Sequence, residues 1–111
     1  MEHYIKKRWV EALRSGDYEQ GKGYLQEEGF CCLGVLCDLH HNLTSEGEWD
    51  HEDLETAALY LVYGEDGEYE FPPDPVLKWS GLNRQLATDL ASRNDAGATF
   101  EELADLIEEK A

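Results

Sequence analysis

Ile5, Trp9, Ala12 and Leu13 recur at helical spacing, while Lys6, Lys7, Glu11 and Arg14 fall elsewhere on the same wheel. The pattern predicts an amphipathic helix. Ser15-Gly16 predicts its end, because glycine takes the left-handed cap conformation without steric cost. Gly21-Lys22-Gly23 then reads as a loop. Tyr24-Leu25, followed by Gln26-Glu27-Glu28-Gly29 and Phe30-Cys31-Cys32, predicts a short hairpin with its glycine in a bulged turn. Leu33, Leu36, Cys37 and His40 repeat at i, i+3, i+4 and i+7, which predicts a buried helix from Leu33 to about His41. Gly34 inside that helix predicts close packing against another backbone.

Residues 42–57 are polar and turn-rich. Leu59 to Tyr63, Gly64-Glu65-Asp66-Gly67 and Glu68 to Phe71 predict a second hairpin, preceded by a short helix from near Glu52 that carries Leu54, Ala57 and Ala58. Pro72-Pro73 breaks the strand. Asp74-Pro75 predicts a helix start with Asp74 as N-cap, a helix carrying Val76, Leu77 and Trp79, and a stop at Gly81. Leu82, Leu86 and Leu90 define the next helix, ending near Asn94 to Gly97. Thr99 and Glu102 match a capping box ahead of a last helix that buries Phe100, Leu103, Ala104 and Ile107. The elements predict an α+β fold: one domain over residues 1–111, about four to five helices, and one or two short hairpins.

Composition narrows this picture without changing it. A chain of 111 residues has room for one hydrophobic core, and 41% hydrophobic residues exclude a wholly disordered acidic tail. No apolar run approaches the roughly 18 residues that would span a bilayer. The basic cluster Lys6-Lys7-Arg8 has no apolar stretch behind it, so a signal peptide is not expected. Three cysteines, two of them adjacent, fit a reduced compartment with free thiols.

Charge changes the picture more. The net charge is −16, yet residues 1–24 hold five basic residues against four acids. Between Lys22 and Lys78 lie 55 residues with fourteen acids and no Lys or Arg. Their carboxylates repel one another, pair with distant cations, or await a basic partner. A surface carrying Glu46, Glu48, Asp50, Glu52, Asp53, Glu55, Glu65, Asp66, Glu68, Glu70 and Asp74 would approach the charge density of duplex DNA. Trp49 among them is a candidate binding anchor, or a half-buried cover for the second hairpin. A solvated acidic face that aids solubility is the competing reading.

Cys31, Cys32, Cys37, His40 and His41 form the one cluster with ligand chemistry. The spacing lacks the paired C-x2-C knuckles of a zinc site, and three cysteines among Phe30, Leu33, Val35 and Leu36 pack equally well as small apolar side chains. Burial is therefore favoured over zinc or a reactive thiol. A thiol near a helix N-terminus would have a lowered pKa, but no orienting group or oxyanion site accompanies it. No P-loop, Rossmann fingerprint, G-x-S-x-G or H-E-x-x-H occurs, so no enzyme, metal or cofactor is expected.

Several blocks resemble small proteins encoded by tailed bacteriophages and prophages. Trp9 to Gly16 with Tyr18, Gln20-Gly21, Gly23 and Leu25 resembles their opening, and Gly29-Phe30-Cys31-Cys32-Leu33-Gly34-Val35-Leu36-Cys37-Asp38-Leu39 their most distinctive segment. Pro75 to Leu82, Leu86-Ala87, Asn94-Asp95 and Phe100 to Glu108 resemble the closing blocks, while the acidic middle, about 42–72, departs from the pattern. The resemblance implies a phage-type origin and a shared fold, and brings no catalytic residues with it. Taken with the charge, it leads to an expected non-enzymatic protein of the bacterial cytoplasm that binds and inhibits a basic host or anti-phage defence protein. Direct nucleic-acid binding and membrane association are not expected. An oligomeric assembly component and a thiol or zinc protein are the alternatives.

Overall fold

A computed structural model describes residues 1–51, 60–64 and 70–111. Its centre is helix α2, Cys32–Thr44, in which Leu33, Val35, Leu36 and Cys37 are fully buried. Burying an aliphatic side chain of this size contributes roughly 1.5–3 kcal/mol, so this one turn-and-a-half anchors the core. Helix α1, His3–Ser15, packs on α2 with Ile5, Trp9, Val10 and Leu13. Trp9 also donates its indole N–H to the Cys32 carbonyl at 2.9 Å, which satisfies a buried donor and fixes the crossing.

Three further helices close around this pair. Helix α3 is Asp74–Ser80, α4 is Arg84–Asp95 and α5 is Phe100–Lys110. The first two pack on α2, and α5 lies along α1. The ends follow local chemistry. Glu2 caps α1 by accepting from the Tyr4 and Ile5 amides, Gly16 ends it at φ 80°, and Thr99 with Glu102 forms the capping box of α5.

The close approach expected at Gly34 is present: a Cβ there would overlap the Leu25 carbonyl oxygen. A glycine is therefore what lets the loop before α2 lie against the helix itself.

Three expectations need correction. Helix α2 runs three residues past His41, because the Thr44 hydroxyl bonds the His40 carbonyl and the left-handed cap sits at Ser45, φ 61°. Asp74 lies inside α3 with Pro73 at the cap, and its carboxylate pairs with Arg84 instead of capping. The strands pair over longer distances than two hairpins would require. Strand β1, Gln26–Glu27, and strand β2, Trp49–His51, flank strand β3, Tyr60–Tyr63, in an antiparallel ladder of order β1-β3-β2. Gln26 lies opposite Leu61 and Trp49 opposite Tyr63.

The first hairpin contracts to a single bridge between Gln26 and Phe30. Of the second, Glu70 and Phe71 form a bend, and 65–69 lie outside the described residues, as does the helix expected from near Glu52. The molecule is thus mostly helical with one small strand ladder. No helix among the described residues is long and apolar enough to cross a membrane.

Candidate functional site

Helix α2 ends at Ser45, and the chain then turns through Gly47 (φ 72°) into β2. His41 holds that turn through a 2.6 Å contact between its Nδ1 and the Gly47 carbonyl. Glu46, Glu48 and Asp50 are exposed along it, and Glu70 and Asp74 are exposed ahead of α3. The remaining acids expected in the site, Glu52, Asp53, Glu55, Glu65, Asp66 and Glu68, lie outside the described residues.

Asp74 pairs with Arg84 at 2.7 Å, and that guanidinium also lies 5.2 Å from the centre of the Phe71 ring. Glu46, Glu48 and Glu70 form no ion pair with any described residue.

The cations of α1 face another way. Arg14 pairs with Glu101, Asp105 and Glu108 of α5, and its bonds to Glu108 and Asp105 hold the guanidinium firmly charged. Lys6 and Lys7, with His3 and Val10, line a groove beside Glu108. Arg14 is therefore matched to the C-terminal helix, and no cation of α1 forms an ion pair with a described residue of the acidic middle.

Trp49 is half-buried. Its ring packs against Phe30 at 5.8 Å and Tyr63 at 4.8 Å, and its indole N–H donates to Asp38 at 3.1 Å. Asp38 also accepts from the Tyr18 hydroxyl at 2.5 Å, and burial together with that carboxylate pushes the Tyr18 pKa up. The half-buried reading of Trp49 thus fits better than an exposed anchor, because its polar edge is already engaged.

The rings continue inward from Trp49 through Tyr63 and His40 to Trp79. The Tyr63 hydroxyl donates to the Glu46 carbonyl at 3.0 Å and lies 2.9 Å from His40 Nδ1. Burial lowers the His40 pKa and the nearby Glu46 raises it, with burial the larger effect. Beside this pair lies a cavity of about 460 Å³ bordered by His40, Glu46, Tyr63, Pro73, Pro75 and Val76. Sequence spacing placed His40 on a buried helix face. It did not bring Tyr63, Pro73 and Pro75 to that histidine, because they lie more than 20 positions downstream with no local pattern linking them.

The model of the family described as Domain of unknown function (DUF8296) matches residues 1–111. The chain belongs to that family. No curated protein and no solved structure matches it.

In this DUF8296 chain the three cysteines pack within the hydrophobic core. Cys31, Cys32 and Cys37 are free and buried. Cys31 caps α2 by accepting the Gly34 amide at 3.4 Å, yet burial outweighs the helix terminus and pushes its thiol up to about 11. Cys32 and Cys37 are likewise raised by desolvation. The lowered pKa expected for a thiol at this helix start is therefore reversed. Among the described residues no three His, Cys, Asp or Glu side chains converge as metal ligands.

Proposed function

We propose that this DUF8296 domain is a phage-type, non-enzymatic binding protein that captures and inhibits a basic host or anti-phage defence protein in the bacterial cytoplasm. The observation that carries the reading is the division of charge. Arg14 is committed to three acids of α5, whereas Glu46, Glu48 and Glu70 have no ion pair with a described residue and face outward. They belong to a 55-residue interval without Lys or Arg, so no neighbour in sequence neutralises them. Carboxylates placed this way contribute little to folding; they attract a cationic surface from solution and speed its docking.

The test is capture from a bacterial lysate with tagged protein at low and high salt. Basic proteins should be retained at low salt and released as the screening length contracts from about 30 Å at 0.01 M to 3 Å at 1 M. The variant Glu46→Gln/Glu48→Gln/Glu70→Gln should retain less, and DNase treatment should leave capture intact. A complex indifferent to salt rejects the reading.

A further inference from the structure

We propose that the cavity between α2, β3 and α3 receives an arginine side chain presented by the basic partner, an inference that rests on the acidic-surface reading above. His40 Nδ1 and the Tyr63 hydroxyl are occupied with one another, and that hydroxyl also meets the Glu46 carbonyl. Pro73, Pro75 and Val76 bring no side-chain donor, and the prolines bring no backbone N–H either. Among the described residues that line it, the Glu46 carboxylate is the one charged group, and it accepts only.

A guanidinium answers that carboxylate with five N–H donors and nothing to accept with. Three further features agree. The cavity, about 460 Å³, falls within the roughly 300–1,000 Å³ range of ligand pockets. It lies beside the C-terminal turn of α2, whose carbonyls present the negative end of the helix dipole. Its walls are Pro73, Pro75 and Val76, and a planar, weakly hydrated guanidinium tolerates such apolar contact better than a strongly hydrated ammonium. Glu46 stands exposed at the rim, where it meets the incoming cation before the cavity does.

The experiment titrates the whole chain with the blocked tripeptide acetyl-Gly-Arg-Gly-amide, followed by amide chemical shifts. The Gly47, Gly64 and Val76 signals should move and saturate. Affinity should exceed that for the citrulline tripeptide by about tenfold, the loss anticipated for one charge-assisted contact. Glu46→Gln should weaken arginine binding by about tenfold on the same reasoning, while Glu48→Gln, outside the cavity, changes it less than about twofold.

Equal binding of the citrulline tripeptide, equal binding of a lysine tripeptide, shifts confined to other residues, or an unchanged Glu46→Gln would each overturn the assignment. Failure here is separable from failure of the broader reading. Capture that is salt-sensitive yet unaffected by Glu46→Gln removes the pocket and leaves the acidic surface, whereas salt-insensitive capture removes the surface reading itself.

Discussion

On the side built from α1, α4 and α5, polar groups close on one another, while around Glu46, Glu48 and Glu70 the charge is left facing solvent. Asn94 illustrates the first side. Its side-chain oxygen accepts from Gln20 at 2.9 Å and from the Cys32 amide at 3.2 Å, and its amide donates to the Gly21 carbonyl at 2.8 Å. Gln20 extends the network to the Ala98 carbonyl and the Phe100 amide. Both the oxygen and the nitrogen of that buried Asn94 side chain are thus engaged within the fold.

Glu46 illustrates the second side, since its backbone serves the structure while its carboxylate is exposed and forms no ion pair with a described residue. The contrast separates what holds the molecule together from what remains for a partner.

Three substitutions sharpen that division. Asn94→Ala should have the largest effect, because it leaves Gln20, the Cys32 amide and the Gly21 carbonyl short of a partner in the interior. A loss of roughly 3 kcal/mol in urea unfolding is expected, from about 1–3 kcal/mol for each buried group left unsatisfied. A loss close to zero would show that the network is decorative.

His40→Gln comes next and concerns the boundary between the two sides. The folded state lowers the His40 pKa, so the unfolded chain binds the proton more readily. The stability gained from the neutral ring is complete above about 6.5 and drains away as pH falls through the folded value. The melting-temperature advantage of the natural chain over the variant should therefore be greatest near neutrality and narrow on acidification. A constant gap would dissociate His40 from any such titration.

The smallest effect belongs to Glu46→Gln/Glu48→Gln. Its urea midpoint should match that of the natural chain, because neither carboxylate bonds within the described fold. A marked loss would move these residues to the structural side.

The helical half of this division is visible in the amino-acid pattern because its determinants are local. Periodicity locates α1 and α5, the Thr99–Glu102 box starts α5, and Gly34 forecasts its own close contact. The ladder is not visible, because β1, β2 and β3 come from segments near 26, 50 and 62 whose pairing depends on the finished core and not on any turn between neighbours. For the candidate site, the acids could be named from composition and the burial of His40 from spacing. The cavity could not, since α2, β3 and α3 converge on it from distant positions. Asp74 shows the same limit at one residue: an aspartate before a proline predicts a cap, and a nearby arginine from the next helix draws it away.

The Gln20–Asn94 contact also bears on the order of folding. It joins positions 74 apart, and such a closure is rewarded only after the intervening chain has been brought together. The loop through Gly21 and Gly29 is therefore expected to close only after α4 has docked on α2, an order that folding and unfolding rates of Gln20→Ala and Asn94→Ala would check. Before that docking the backbone amide of Cys32 lacks its bond to Asn94, so the start of α2 is completed from the far end of the chain.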